Sequence, residues 1–397
     1  MESAGQSVEP NAEPGVVLKK RGVLRLRSGH PWVYRSDVAE AEGEAGDVVR
    51  VTDRRGSFLG RAFYNPRSEI SIRLAERRDE PIDEAWFRSR IERAVAYRDS
   101  LRIDGDAYRL LHAEADGVPG LIVDEYRDYV VLHVGTAAVE KRLEWVVGAL
   151  RDLLLPKGVL LRADVASRKR EGLDTTVRVL YGEVPEMVVV REGSVSYRAD
   201  LWRGQKTGAF LDQRENHLAA GRCASGRVLD VFSYTGGFAL HATGNAETVE
   251  AVDSSGPALE SARANVELNG AGNVAFTRAS AFDLLRERSD AGERYETVIL
   301  DPPAFAKTRR DLPAARRAYK EINLRAMKLL SPGGILITCS CSHHLSREMF
   351  EETLRSAASD AGRTVRVREW RGQAQDHPEI LTIPETRYLK CAVLEIV

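Results

Sequence analysis

From Ser194 onward the chain alternates short apolar β runs with longer helical stretches, and this rhythm limits the fold more than any other feature of its 397 residues. The runs are Val228–Val231, Thr248–Val252, Val274–Thr277, Thr297–Leu300 and Gly334–Thr338. Strands of this kind, separated by apolar helices, argue for an open, mostly parallel sheet covered on both faces. In such a sheet, ligands bind outside the carboxyl ends of the strands. The loops that succeed these runs are therefore where chemistry is expected.

The first such loop reads Val228-Leu229-Asp230-Val231-Phe232-Ser233-Tyr234-Thr235-Gly236-Gly237-Phe238. Paired glycines remove side-chain bulk and let the backbone approach a ligand closely. One strand–helix repeat later, Thr248–Val252 ends at Asp253, a carboxylate placed to accept hydrogen bonds from a ribose diol. A nicotinamide dinucleotide site would want three glycines spaced G-x-G-x-x-G, and this turn has two adjacent ones. The turn instead resembles motif I of class I methyltransferases. That resemblance implies S-adenosylmethionine bound around Asp230, Phe232, Tyr234, Thr235, Gly236 and Gly237. It further implies Asp253 and Ser254 at the ribose, and Ser280, Ala281 or Asp283 on the adenine side.

After the fourth strand comes Asp301-Pro302-Pro303-Ala304-Phe305. Two φ-locked prolines hold the preceding carboxylate in a fixed direction at low entropic cost. Amino-methylating enzymes place an aromatic residue directly after the prolines; here Ala304 intervenes, which disfavours methylation of an exocyclic amine. The fifth strand ends in Cys339-Ser340-Cys341-Ser342-His343-His344. In an extended chain the two cysteines project to one face. A thiolate here could add to C6 of a pyrimidine and make C5 nucleophilic. Zinc is disfavoured, because structural sites use Cys-x₂₋₄-Cys pairs and no second pair exists. Two buried structural cysteines are the plainer alternative.

The rest of the chain divides by composition. Residues 1–15 are rich in Glu, Ser, Pro and Gly and read as a disordered tail. Short β runs at Val16–Leu18, Val48–Val51, Phe58–Tyr64 and Ile70–Leu74 suggest a small, mostly β domain over 16–88. Helical spacing over Glu84–Ile103 marks its end. Strands at Leu121–Asp124, Tyr129–Val134 and Gly158–Arg162, further strands near Thr176–Leu180 and Glu186–Val190, and a helix over Ala138–Leu154 then suggest an α+β middle domain, 89–192. The parallel-sheet unit occupies 193–397. Four cysteines form no secreted-type framework, so reduced thiols and a cytosolic location are expected. No run of about 18 uncharged apolar residues suggests a membrane span. The formal net charge of −1 gives no sign of a nucleic-acid partner.

Taken together, these motifs resemble the RlmI-type methyltransferases, which make 5-methylcytosine in large-subunit 23S ribosomal RNA. The likeness runs from Gly29-His30-Pro31-Trp32-Val33-Tyr34, in what would be a PUA-like RNA-binding domain, through Glu114–Asp124 and Lys206–Arg214. It continues with the Asp301 turn, Ser340-Cys341-Ser342, Asp376-His377-Pro378 and Pro384–Lys390. The resemblance implies a Rossmann-like methyltransferase domain with Cys341 as nucleophile, Asp301 at the pyrimidine edge, and Gln213 and Arg214 in the cofactor pocket. Glu385 is a candidate proton acceptor at C5, with a helix cap or salt bridge as the alternative. Ribosomal RNA would be held by basic clusters: Lys19, Lys20, Arg21, Arg25 and Arg27; Arg168, Lys169 and Arg170; and Lys307, Arg309, Arg310, Arg316 and Arg317. Phe305, Trp32 and Tyr34 are candidates for stacking on unpaired bases. A homodimer is compatible with this reading. The rivals are a relative acting on a guanine nitrogen or uracil C5, and an RNA-binding protein without catalysis.

Overall fold

The structure is a computed structural model describing residues 14–164 and 166–397, so most of the expected tail lies outside the described residues. The N-terminal sheet contains β1 (Gly15–Leu18), β2 (Trp32–Val33), β3 (Val38–Ala41), β4 (Val48–Asp53), β5 (Phe58–Tyr64) and β6 (Ile72–Glu76), in the order β2-β6-β5-β4-β1-β3. Its core is aliphatic: Val16, Leu18, Val33, Val49, Val51 and Ile72 are all buried. Helix α1 (Lys20–Arg27) interrupts the β pattern and buries Val23 and Leu26, three residues apart on one face. The sequence expectation missed this helix, because its eight residues, with Val23, Leu24 and Leu26 set among Lys and Arg, are a short run flanked by β-like segments.

Helix α2 (Glu84–Leu101) begins at Asp83, whose carboxylate accepts the Trp86 N–H at 2.9 Å. It buries Trp86, Phe87, Ile91 and Ala94 in the core of the middle sheet, so the expected break at residue 88 falls inside a helix that belongs to the middle domain. That sheet is β7 (Ala107–His112), β8 (Leu121–Tyr126), β9 (Tyr129–Val134), β10 (Gly158–Leu161) and β11 (Arg178–Gly182), ordered β11-β10-β9-β8-β7. The helix expected over 138–154 is two helices, α3 (Ala137–Glu140) and α4 (Leu143–Leu154); α5 (Ala166–Glu171) comes after β10. A hairpin of β12 (Met187–Glu192) and β13 (Val195–Asp200) crosses the boundary expected at 192.

The C-terminal unit is a seven-stranded sheet. Its elements are α6 (Arg214–Cys223), β14 (Gly226–Val231), α7 (Gly237–Ala242), β15 (Ala246–Asp253), α8 (Gly256–Leu268), β16 (Val274–Arg278) and α9 (Ala281–Ala291). They continue with β17 (Tyr295–Leu300), α10 (Leu312–Leu329), β18 (Leu330–Ser340), α11 (Arg347–Ala361), β19 (Val365–Arg371) and β20 (Lys390–Ile396). The order is β16-β15-β14-β17-β18-β20-β19; the first five are parallel and β20 runs antiparallel to both neighbours. Successive strands step outward in opposite directions from β14, which makes its carboxyl end the switch point where a crevice opens. Among the described residues, no helix is long and apolar enough to cross a membrane.

Candidate active site

A cavity of about 460 Å³ lies at that switch point, bounded by the loops after β14, β15, β17 and β18. Of the residues expected at the cofactor, Gln213, Phe232, Tyr234, Thr235, Gly237, Asp253, Ser254 and Asp301 line it, together with Cys341. Seven non-glycine residues have positive φ among the described residues, and three of them, Lys206, Phe232 and Tyr234, line this cavity. Left-handed backbone at such residues carries strain of order 1 kcal/mol each. Its concentration here shows that the turn is held in shape by its surroundings.

Those surroundings are identifiable. The Asp230 carboxylate lies beneath the turn, accepting the Ser233 hydroxyl at 2.6 Å and the Ala239 N–H at 3.1 Å. Its other oxygen is buried without a partner, and burial raises the carboxyl to about 7. Asp230 thus braces the loop and does not itself line the cavity. The two glycines serve different needs. Gly236 takes φ +86 to cap α7, whereas a Cβ on Gly237 would stand 2.7 Å from the imidazole of His217.

Asp253 closes β15 and lines the cavity. Its oxygens accept the Tyr234 N–H at 3.0 Å and the Ser255 N–H at 2.9 Å, and each keeps a lone pair toward the cavity it lines. Asp253→Ala should weaken binding of the methyl donor about tenfold or more, the effect of losing a charge-assisted contact of about 1.4 kcal/mol. Calorimetric titration with S-adenosylmethionine checks this, and an unchanged affinity refutes the assignment.

The other end of the cavity joins two loops. Cys341 comes directly after the last residue of β18, and its thiol points to the Pro302 carbonyl at 3.9 Å, within the Asp301 turn. Burial, with the Asp301 carboxylate beside it, raises the thiol to about 11. Burial also raises Asp301 to about 6; Asp212 adds to this, while His217 and a hydrogen bond from Gln213 oppose it. Asp212 accepts the Lys206 ammonium at 2.5 Å and the Tyr388 hydroxyl at 2.7 Å. Cys339, by contrast, is fully buried opposite Cys391.

Several expected site residues lie elsewhere. Arg214 is buried behind the cavity, gripping Asp376 at 2.9 and 3.0 Å. Ser280 is the exposed cap residue of α9, Ala281 is buried, and the exposed Asp283 faces Arg286; none of the three lines the cavity. Glu385 does not line the cavity: it pairs with His30 at 2.9 Å and Arg25 at 3.8 Å, the salt-bridge alternative. Phe305 is no free stacking platform, since its ring packs 4.7 Å from Tyr319 and also contacts Phe232 and Phe282. Trp32 donates to Glu114 at 2.8 Å under Arg73, and Tyr34 is covered by Arg25.

The basic clusters separate in the same way. Arg168 is fully buried against Glu140 and the Val134 carbonyl. Arg21 and Arg27 are paired with Asp37 and Asp53. Arg316 pairs with Glu352, whereas Lys307, Arg309, Arg310 and Arg317 are exposed and form no ion pair among the described residues.

The sequence reading missed one group on the cavity wall. One Glu192 oxygen lies 2.7 Å from Nδ1 of His217 and 3.0 Å from Nε2 of His241. Among the described residues this is the one cluster with ligand types close enough for a metal ion. Burial opposes ionisation of Glu192, but the two imidazoles outweigh it and lower the carboxyl to about 2. The three residues come from β12, α6 and α7, and no local spacing could have joined them.

Comparison with known proteins gives the lineage. Residues 16–77 match the PUA-like domain family and residues 156–370 the S-adenosylmethionine-dependent methyltransferase family. The chain is 42% identical over 395 residues to ribosomal RNA large subunit methyltransferase I of Vibrio cholerae, covering 96% of this chain and 100% of that protein. It is 41% identical over 387 residues to the protein of the same name from Klebsiella pneumoniae, covering 95% and 97%. A solved SAM-dependent methyltransferase from Streptococcus mutans shares the fold at 21% identity, TM-score 0.81, over 96% of this chain and 99% of that one. The strained glycine turn and the Asp253 carboxylate on the cavity wall suit the donor that this family uses. The chain therefore belongs to the S-adenosylmethionine-dependent methyltransferases of the ribosomal RNA large subunit methyltransferase I family, with a PUA-like domain at its N-terminal end.

Proposed function

We propose that this protein methylates C5 of a cytosine in large-subunit ribosomal RNA through a transient bond between the Cys341 sulfur and C6 of the base. The observation that carries this reading is the placement of Cys341: it shares one cavity with the glycine turn and Asp253, and its sulfur rests against the Asp301-Pro302 turn. Bound S-adenosylmethionine supplies a methyl group on a positively charged sulfur. Phe232, Tyr234, Asp253 and Ser254 would hold it, with Gln213 and Asp301 toward the base.

The residues divide the work by charge. C5 of cytosine is a poor nucleophile, and addition of a thiolate at C6 shifts the ring electrons onto C5. Addition is favoured when the pyrimidine N3 receives a proton. Asp301, titrating at about 6, is protonated often enough near neutrality to give that proton and take it back. Until that transfer, the proton on Asp301 also removes the carboxylate that opposes thiolate formation at Cys341. Transfer of the C5 proton to a water molecule, with the N3 proton returning to Asp301 and the sulfur leaving as thiolate, restores the aromatic ring. RNA contact falls to Lys307, Arg309, Arg310 and Arg317, which are free to neutralise phosphates beside the reacting turn.

The direct test is the identity of the product. Protein incubated with labelled donor and unmodified large-subunit RNA should yield 5-methylcytosine on digestion, and RNA tritiated at cytosine C5 should release label to water. A methylguanine or 5-methyluracil product would replace this reading with one of its rivals.

A further inference from the structure

Lys390 opens β20 directly opposite Ser340, so register places it behind the Ser340-Cys341-Ser342 turn. It is 5% exposed, an unusual burial for a lysine. Its amine donates to the carbonyl of Ser342 at 2.7 Å and to that of Tyr388 at 2.9 Å. An ammonium carries three N–H groups, and these two bonds leave one uncommitted. Among the described residues, no carboxylate lies within ion-pair distance of it. A buried charge without a counter-charge is costly, and folds retain one where something answers it.

The groups around Cys341 show what is lacking. Asp301 and Asp212 face the thiol with negative charge and hinder its ionisation. Lys206 faces it with positive charge, but that ammonium is committed to Asp212 and to the ring of Phe210. His343 and His344 follow Ser342 in the chain, and burial lowers the His343 pKa and so favours its neutral form. Lys390 is the remaining cation, one residue away through the Ser342 carbonyl.

We propose that Lys390 is the positioning residue and counter-charge for Cys341, holding the Ser340–Ser342 turn through backbone carbonyls and offering its remaining N–H and positive charge to the thiolate. The proposal rests on Cys341 being the attacking sulfur and adds the means by which a buried thiol ionises beside two carboxylates. Burial lowers the amine to about 8, with Cys341 acting in the opposite direction, so the group is mostly ammonium at neutral pH and loses its charge above that value.

The test reads the sulfur in the full-length resting protein, without RNA. The alkylation rate of Cys341 by iodoacetamide is measured from pH 6 to 11 by mass spectrometry of its peptide, in wild type and in Lys390→Met, Lys390→Gln and Lys390→Arg. Removing the charge in Met or Gln should raise the thiol pKa by at least about one unit, cutting alkylation about tenfold at pH 7, where Lys390 is mostly charged, with the difference shrinking as pH rises past about 8. Arg should stay within about threefold of wild type because charge is retained. Gln keeps two N–H donors for the carbonyls and so separates charge from clamping. Donor affinity and melting temperature identify the variants that fold. Identical pH profiles in wild type and in a folded neutral variant overturn the proposal. Since no RNA takes part, the result is independent of which base is methylated.

Discussion

Cys341→Ala and Cys341→Ser should each lose methyl transfer by roughly 10³-fold or more, the scale expected when an enzyme's nucleophile is removed. Donor affinity should remain within about threefold of wild type. The reason lies in the carbon to be methylated. A ring nitrogen or an exocyclic amine already has a lone pair, whereas C5 of cytosine gains usable electron density once C6 is saturated by a nucleophile. Serine has the size and a lone pair, but its far higher pKa leaves almost no alkoxide beside Asp301 and Asp212. Structural damage is not expected to confuse the result. The thiol is small and partly open to the cavity, its contact at 3.9 Å with Pro302 is weak, and the residues proposed to hold the donor sit on the loops after β14 and β15. Initial rates with saturating donor and RNA, beside calorimetric donor binding, give the two readouts. If both variants keep near-wild-type rates, Cys341 is not the nucleophile. If donor binding falls with activity, the cavity was disturbed rather than the chemistry.

The sequence revealed those parts of this protein whose signals are local. Five parallel strands were legible because each is a short apolar run ending in a polar turn, and the residues closing those runs, Asp253, Asp301 and Cys341, all line one cavity. Local signals also misled. Asp230 lies in the motif but points under the turn to Ser233 and Ala239. Arg214 is next to Gln213 in the chain, yet one faces the cavity and the other faces Asp376. Clusters of Arg looked alike as strings, but Arg168 is fully buried and Arg309 exposed, a distinction set by tertiary packing. Strands β19 and β20 were missed for a related reason. β19 reads Val365-Arg-Val-Arg-Glu-Trp-Arg371, so charged at an edge that it scarcely resembles a strand, and β20 is recognisable chiefly by what it pairs with. The Glu192–His217–His241 group and the Lys390 clamp are assembled from distant segments, and periodicity carries no information about them.

Asp376→Ala should destabilise the fold by about 3–5 kcal/mol, the cost of removing one partner from a buried ion pair. Its carboxylate accepts both Arg214 terminal nitrogens, at 2.9 and 3.0 Å, and the Arg109 backbone N–H at 2.8 Å, with the His377 imidazole 3.0 Å away. Both members of the pair are buried, so in the variant the Arg214 guanidinium would keep only Glu215, at 3.3 Å, in place of a two-pronged partner. Burial pushes the Asp376 carboxyl up, but His377 and Arg214 more than offset this and hold it far below the ordinary carboxylate range. A carboxylate whose folded pKa is depressed stabilises fully above its unfolded value, about 3.9, and loses that contribution as pH falls toward the folded one. The deficit of the variant should therefore be constant from pH 5 to 8 and shrink in stronger acid. Urea titration at several pH values measures it, and a cost below about 1 kcal/mol at pH 7 would rule out the network as a structural tie. Replacing both partners, Arg214→Met with Asp376→Leu, should recover part of the loss, since no buried charge is then left alone. Activity should fall further than stability requires. The segment from Asp376 to Lys390 ties β7 and α6 to β20, carries Tyr388 to Asp212, and sets Lys390 behind Cys341. Loosening its anchor should therefore shift the groups packed around Cys341, even in molecules that remain folded.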